Sequence, residues 1–335
     1  MHPRPRAAAT PIAFVRALLL GYEKYGVSPQ AALEHGGIPL ELLRQPEAHI
    51  TAAQMEAVSS HAMRELDDET LGWFSRRLPW GSLGMLCRAS LTSPNLKVAL
   101  LRWCRHHGLL TDDVMLTLSV REGVAECAIE ERVKLGAMRE FCLMTILRNI
   151  HGYACWLIDS RIPLRGATFP FETPSHHKVY AHLFPGVVQF GRGHAGFSFD
   201  AEYLEMPVRR DQSALQDMLQ RALLLTVFQY RRDRLLVQRV RSLLRTHPST
   251  LGNADSVARA LHMSIRTLHR HLRDEGSSLQ GLRDEVRREE SMRQLRRSTR
   301  PIKQVASSVG FRDEKSFSRA FKQWTGKSPT AFRRG

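Results

Sequence analysis

Apolar residues recur at helical spacing through roughly the first hundred residues of the chain. The stretch from Ile12 to Gly26 places apolar side chains every three or four positions and predicts a helix that ends at the glycine. A second helix is expected after Thr51, a good N-cap residue. Its apolar face consists of Met55, Val58, Ala62 and Leu66. A third is predicted between a start signal at Ser93–Pro94 and a stop at Gly108.

The hydrophobic period then changes from that of a helix to that of a strand. Residues 114–120 and 124–130 are rich in β-branched and alternating apolar positions, and Arg121–Gly123 between them predicts a hairpin. A long helix over about Met138–Ile158 follows, and residues 165–171, 187–190 and 196–199 are further strand candidates. This mixture predicts an α+β N-terminal domain, for which we set the bounds at residues 1–212.

A helical pattern in Ser213–Arg231 connects this domain to the rest of the chain. One side of that helix would carry Leu215, Met218, Ala222, Leu225 and Gln229. Two interpretations fit this side: a dimerisation helix, or a helix that covers its own domain. We assign residues 213–232 as a connecting or dimerisation helix.

The last third of the chain contains an internal repeat. Val257–Ala258 matches Val305–Ala306 at an offset of 48 residues. At an offset of 49, Ser264, Leu268, Arg270 and Leu272 match Asp313, Phe317, Arg319 and Phe321. Each copy predicts a short helix, a tight turn and a second helix, with Ser264 and Asp313 as N-caps and Gly310 at a left-handed helix end. Residues 233–335 are therefore expected to form an all-α DNA-binding domain with two helix-turn-helix units.

The outward faces of the two second helices contain the candidate DNA-binding residues. They are Arg266, Thr267, His269 and Arg270 in the first unit, and Glu314, Lys315, Ser318, Arg319 and Lys322 in the second. Arg273 lies on the same outward face of the first unit. A capped helix that projects Arg, Lys and hydroxyl groups is typical of a recognition helix in a DNA major groove. A merely solvated face explains any one of these residues, but not both sets together. Leu279–Leu295 is a predicted spacer helix, which would hold the recognition helices about one turn of DNA apart, roughly 34 Å.

The charge of the chain is concentrated in the same third. Residues 231–335 contain 25 Lys and Arg against 10 Asp and Glu, a net charge of +15, whereas residues 1–230 contain 24 and 23, a net of +1. Clustered positive charge binds polyanions because it releases condensed counterions. By itself it also fits a basic surface that aids solubility. Together with the repeat, it favours double-stranded DNA as the partner.

Residues 309–333 resemble the C-terminal signature of AraC-type regulators. The matching positions are Gly310–Phe311, Ser316–Phe317, Arg319–Lys322, Gly326, Ser328–Pro329 and Arg333. This resemblance covers residues 233–335 and implies that the base-reading positions are Arg266, His269 and Arg270, then Glu314, Lys315 and Arg319. The step from Leu272 to Gly276 is one residue shorter than in most members. That spacing, and residues 71–114, are similar to a subgroup with an arabinose-binding-like N-terminal domain, which includes ornithine-utilisation regulators.

The resemblance implies a bacterial transcription regulator that binds promoter DNA. It further implies a homodimer whose N-terminal domain binds a small-molecule effector. The protein would then activate a catabolic operon, and RNA polymerase is a candidate partner in that activation. An amino acid such as ornithine is one candidate for the catabolised compound, and Glu122, Glu140 and Asp159 are available to pair with its ammonium groups. Two alternatives stay open. One is a DNA-repair alkyl acceptor, with Cys104 near His106 as the nucleophile, and the other is an architectural DNA-binding protein without an effector.

The remaining chemical signals are weak. The five cysteines are isolated and form no C-x-x-C pair, which favours free thiols in a reducing cytoplasm, where the nucleoid would be the site of action. His106–His107 and His176–His177 lack the spacing of metal ligands, and no catalytic motif is present, so we expect no metal, cofactor or enzymatic activity. No signal peptide or membrane span is expected. Four tryptophans either line an apolar effector pocket or belong to the core: Trp73, Trp80, Trp103 and Trp156.

Overall fold

The computed structural model describes residues 10–220, 233–246 and 253–334. The chain divides into two compact units, residues 1–231 and 232–335. The first unit combines helices with a sheet, and the described part of the second contains helices without strands. The predicted fold class, α+β followed by all-α, is therefore confirmed.

The N-terminal unit contains eight described helices and seven described strands. Helices α1 to α8 span Ile12–Tyr25, Gln30–His35, Ala52–Glu65, Ser82–Leu91, Leu96–His107, Arg139–Leu157, Tyr180–Leu183 and Gln212–Leu219. Strands β1 to β7 span Thr10–Pro11, His49–Ile50, Val114–Arg121, Val124–Glu131, Leu164–Thr168, Val187–Gln189 and Ala195–Asp200. The predicted hairpin strands, the long helix and the later strands each begin within two residues of the corresponding observed element.

The main sheet has five strands in the order β3-β4-β7-β5-β6. All neighbours are antiparallel except β5 and β6, which pair in parallel. The β3–β4 turn places Glu122 at φ 49° and Gly123 at φ 76°, the two left-handed positions that a two-residue hairpin turn needs. Helix α6 packs on β4 and β7 and is buried at nearly every position from Phe141 to Leu157. It therefore forms the centre of the core, with helices α1 and α5 on its other sides.

Helix ends in this unit follow local capping chemistry. The Thr51 hydroxyl accepts the Gln54 backbone N–H at 3.2 Å, and the Gln54 side chain accepts the Thr51 N–H at 3.1 Å, which forms a capping box. The predicted start of α5 at Ser93–Pro94 is wrong by two residues. The side chain of Asn95 accepts the Val98 N–H at 3.0 Å, so Asn95 is the cap and the helix begins after it.

The first part of the predicted connecting helix belongs to the N-terminal unit. Helix α8 contacts α4 and buries Leu215 completely. Residues 221–232, the larger part of the predicted dimerisation segment, lie outside the described residues.

The C-terminal unit is built around two small hydrophobic cores. Helices α9 to α15 span Leu235–Thr246, Ala254–Ala260, Ile265–Asp274, Leu279–Arg297, Ile302–Ser308, Glu314–Thr325 and Pro329–Arg334. The first core joins α9, α10 and α11 to the N-terminal half of α12, through Leu282 and Val286. The second joins α13 and α14 to the other half, through Leu295. Helix α12, the predicted spacer, thus contributes to both cores.

Candidate nucleic-acid interface

The first helix-turn-helix unit consists of α10 and α11. Asn253 caps α10 by accepting the Ser256 N–H at 2.8 Å, and Ser264 caps α11 by accepting the Thr267 N–H at 3.1 Å. Leu268 and Leu272 are fully buried against α10, as the sequence predicts. Because one side of α11 is committed to the core, its other side is presented outward.

The second unit, α13 and α14, repeats this construction. Asp313 accepts the Ser316 N–H at 2.7 Å and the Ser316 hydroxyl at 2.8 Å. These two hydrogen bonds lower the pKa of the Asp313 carboxyl, so the cap is ionised at neutral pH. Phe317 and Phe321 are fully buried, and α14 ends at Gly326 with φ 74°.

The turns of the two units are also equivalent. In the first, the Met263 N–H donates to the Ala258 carbonyl at 3.0 Å, and His262 takes a left-handed φ of 52°. In the second, the Phe311 N–H donates to the Ala306 carbonyl at 3.0 Å, beside Gly310 at φ 83°. The offset of the sequence repeat therefore corresponds to one repeated backbone motif.

Three cationic positions recur on the outward faces of α11 and α14. They are Arg266 with Lys315, Arg270 with Arg319, and Arg273 with Lys322. All six side chains are exposed, and none forms an ion pair with a carboxylate in the described part of the chain. His269 is exposed at the position that Ser318 occupies, half-buried, in the second unit. Both helices thus project uncommitted positive charge from a fixed frame, as a recognition helix must.

The other predicted site residues have different surroundings. The Thr267 hydroxyl accepts the Ser264 hydroxyl at 2.9 Å, so it supports the N-cap of α11 from a half-buried position. Glu314 is exposed at the first position of α14, where a carboxylate interacts favourably with the helix dipole.

Two further side chains of α11 lie beside this set. Arg273, which the sequence also places on the outward face, is exposed and matches Lys322 at the offset of 49 residues. Ile265 is 42% exposed at the first position of α11, whereas Leu268 and Leu272 of the same helix are buried. Where a helix enters a major groove, an exposed apolar side chain can contact thymine methyl groups.

Carboxylates of the C-terminal unit are instead paired along the spacer helix. Arg245 of α9 contacts Glu289 of α12 at 2.5 Å, and Arg241 pairs with Glu285 of the same helix. Within α12, Arg293 contacts Glu290 at 2.7 Å. These three carboxylates are therefore paired with arginines outside α11 and α14.

The predicted effector-related residues do not form one group in the N-terminal unit. Trp73, Trp80 and Trp103 line a common cavity, whereas Trp156 stacks on Tyr153 outside it. The three carboxylates considered for an ammonium ligand are not among the cavity residues. Glu140 accepts hydrogen bonds from His176 and Tyr180, Asp159 pairs with Arg210, and Glu122 lies in the β3–β4 turn.

Other chemistries receive little support from the described residues. Burial raises the pKa of Cys104 to about 11, so the nucleophile proposed for an alkyl acceptor is a protonated thiol at neutral pH. No three His, Cys, Asp or Glu side chains within the described ranges are grouped to bind a metal. Among the described helices, none combines the length and apolar character that crossing a bilayer requires.

Comparison with known families identifies both units. Residues 26–208 match the arabinose-binding domain of AraC transcription regulators, N-terminal, and residues 257–335 match a helix-turn-helix domain.

Curated relatives match over the full length. The ornithine utilization regulator of Pseudomonas aeruginosa is 30% identical over 98% of this chain and 97% of its own. An uncharacterized HTH-type transcriptional regulator of Mycobacterium bovis is 27% identical over 99% of this chain and 98% of its own. Among solved structures, the transcriptional regulator CdpR from Pseudomonas aeruginosa is 18% identical over 100% of both chains, with a TM-score of 0.34. The assignment to a family therefore rests on the sequence matches.

Proposed function

The chain belongs to the AraC family of DNA-binding transcription regulators, and from that premise we propose that it activates a catabolic operon in response to a small-molecule effector. The family match confirms the resemblance seen in residues 233–335. An N-terminal unit that matches an arabinose-binding domain supports the effector response. The relative's name, which refers to ornithine utilization, supports an operon for amino-acid catabolism as the target.

One observation supports the DNA-binding mechanism above all. Two capped helices with the same buried side present cations at the same three positions, without ion-pair partners in the described part of the chain. In the proposed complex, α11 and α14 enter successive major grooves. Arg270 and Arg319 read guanine edges, because the guanidinium fork matches the two guanine acceptors. Neighbouring bases are contacted by Arg266, His269, Glu314 and Lys315. The rest of the contact surface, which includes phosphate contacts, consists of Thr267, Ser318 and Lys322.

The proposed division of labour follows the chain. Residues 1–212 bind the effector, residues 213–232 connect or dimerise the subunits, and residues 233–335 bind promoter DNA. Dimerisation would place four recognition helices on one promoter, and activation would require contact with RNA polymerase. Buried Leu215 supports a connecting rather than an exposed role for the start of the 213–232 segment.

Selection from a random double-stranded DNA library with the full-length protein tests the DNA-binding part. We expect a defined consensus sequence and binding that weakens steeply with added salt. Arg270→Ala and Arg319→Ala should each cost about 1–3 kcal/mol of discrimination at one base pair, measured by fluorescence anisotropy with matched and mismatched sites.

Arg293→Ala is the matched control, because Arg293 is an exposed arginine of the same unit that pairs with Glu290. It should leave discrimination unchanged. Unaltered discrimination in both Arg270→Ala and Arg319→Ala would refute the assigned recognition residues.

A further inference from the structure

The N-terminal unit contains a cavity of about 330 Å³ between helices α4, α5 and α6. This volume lies in the range of small-molecule pockets, about 300–1,000 Å³. Most of its surface is apolar, and three tryptophans contribute to it: Trp73, Trp80 and Trp103. Trp80 is 45% exposed, so the cavity reaches the surface beside it.

Two neighbouring carboxylates hold the loop that forms one wall of this cavity. Asp68 is fully buried and accepts the backbone N–H groups of Thr70, Gly72 and Leu78 at 2.7–3.0 Å. Glu69 caps α4 by accepting the N–H groups of Gly81 at 2.7 Å and Leu83 at 2.6 Å. The wall is therefore formed before any ligand arrives.

The same hydrogen bonds decide which charge the cavity can accept. Glu69 is the one carboxylate among the described residues that line it, and both its oxygens are occupied by backbone N–H groups. Arg88 of α4 also lines the cavity, is exposed, and forms no hydrogen bond or ion pair within the described part of the chain. The cavity therefore offers a ligand carboxylate a cation without a partner among the described residues, whereas an ammonium group would meet one carboxylate that already accepts two backbone hydrogen bonds.

Further polar atoms along the cavity wall are hydrogen-bond donors or neutral groups. The indole Nε1 of Trp73 and the Nδ1 of His107 are buried and have no hydrogen-bond partner among the residues that the structure describes. Burial lowers the pKa of His107 to about 4, so its ring is neutral at pH 7. Asn149 offers an amide on the opposite wall, from α6.

We propose that this cavity binds an apolar monocarboxylate, with its hydrocarbon or aromatic body among the tryptophans and its carboxylate against Arg88. This inference rests on the proposed effector response and names the chemical class of the effector. It disfavours a diamino acid such as ornithine, because two ammonium groups would be desolvated beside a single carboxylate that backbone N–H groups already engage. A target operon for amino-acid catabolism would then respond to an acidic, less polar compound.

Helix α8, at the start of the connecting segment, also contributes to the cavity wall, close to Arg88. Leu219, the last residue of α8, lines the cavity beside Gly84 of α4. A β-carbon placed on Gly84 would lie 3.3 Å from the Leu219 Cδ1 and 3.2 Å from the Arg88 Nη1. Arg88 therefore lies close to the contact between α4 and α8, so a ligand bound to it would lie close to that contact as well.

Binding of 3-phenylpropanoate to the full-length protein tests this proposal, with its neutral analogue 3-phenylpropan-1-ol and with ornithine as comparisons. Tryptophan fluorescence reports binding, since three tryptophans line the cavity. We expect the acid to bind about two- to fivefold more tightly than the alcohol, as one partly exposed charge pair provides. Ornithine should leave the signal unchanged.

Arg88→Gln should abolish the preference for the acid while the alcohol still binds. Arg76→Gln is the matched control, because Arg76 is an exposed arginine of the adjacent loop that does not line the cavity. Equal affinities for acid and alcohol in the unmodified protein, an unchanged preference in Arg88→Gln, or binding of ornithine alone would each overturn the proposal.

A separate measurement distinguishes this proposal from the proposed function. The affinity for the selected DNA site is measured with and without saturating 3-phenylpropanoate. Binding of the acid that depends on Arg88 but leaves DNA affinity and promoter activity unchanged would refute the effector response and keep the cavity assignment. A change in DNA affinity on addition of ornithine, without binding of the acid, would support the effector response and refute the cavity assignment.

Discussion

At the scale of single residues, the two helix-turn-helix units have different residues at the left-handed position of the turn. Gly310 occupies the left-handed position in the second unit, and His262 occupies the same position in the first, at φ 52°. A side chain in the left-handed region costs about 1 kcal/mol, which glycine avoids. The hydrogen bonds at this position are alike in both turns, so the first unit retains a strain that the second avoids.

His262→Gly should therefore stabilise the first unit. We expect a gain of about 0.5 kcal/mol, because relief of strain exceeds the entropy that glycine adds to the unfolded chain. Hydrogen exchange of α10 and α11 amides measures it. Gly310→Ala is the reciprocal change and should reduce protection of α13 and α14, and a loss of protection in His262→Gly would contradict the account.

At the scale of elements, helix α9 is capped from a distant part of the chain. The Glu275 carboxylate, just after α11, accepts the Val237 N–H at 2.9 Å in the first turn of α9. Burial raises the pKa of Glu275 to about 7. The start of α9 is consequently tied to α11 by a group that titrates near neutral pH.

This shift predicts that the attachment of α9 weakens as the pH rises. The folded-state pKa lies above the ordinary value of 4.5, so the associated stability is complete below pH 4.5 and is lost as the pH passes about 7. Glu275→Gln keeps an acceptor oxygen without the charge, and it should match the unmodified protein at pH 5.

At pH 8 the Glu275→Gln variant should be more stable by about 1 kcal/mol, a value reduced for the half-buried position of the carboxyl. The measurement is the ratio of α9 hydrogen-exchange rates in the two proteins at each pH. The same ratio at pH 5 and pH 8 would exclude titration of Glu275 as the cause.

At the scale of the whole molecule, charge is divided between the two units. The net charge of +15 in residues 231–335 against +1 in residues 1–230 assigns polyanion binding to one unit. Within the described part of that unit, acidic side chains such as Glu285, Glu289 and Glu290 are paired with arginines on or beside α12. The remaining positive charge is displayed on α11 and α14.

The salt dependence of DNA binding should reveal how many of these cations reach phosphates. The logarithm of the DNA-binding constant decreases linearly with the logarithm of the salt concentration, and the steepness of this line decreases by about 0.9 for each phosphate contact removed. Lys322→Gln and Arg273→Gln should each reduce the slope by about that amount and weaken binding equally for all sequences. Arg76→Gln, in the N-terminal unit, should not change it, and a sequence-dependent effect of Lys322→Gln would assign that residue to base reading instead.

The sequence predicts the DNA-binding unit far better than the cavity, and for a physical reason. Buried positions such as Leu268 and Phe317, and caps such as Ser264, act on neighbours within a few residues, so their spacing reveals the structure. The cavity joins Trp73 to Leu219, residues far apart in the chain, across a loop held by Asp68. That loop has no hydrophobic period. Three tryptophans of the predicted four line the cavity, but no local pattern separates them from Trp156.

Because α12 contributes to both hydrophobic cores, the two helix-turn-helix units are not separable modules. Leu282 and Leu295 lie on one continuous helix, so transplanting either unit into another regulator would remove part of its own interior. The outward positions of α11 and α14 have no such dependence. Promoter choice should therefore change when outward residues such as Arg270 and Arg319 are replaced within this frame. Exchange of a whole helix-turn-helix unit should instead disrupt folding.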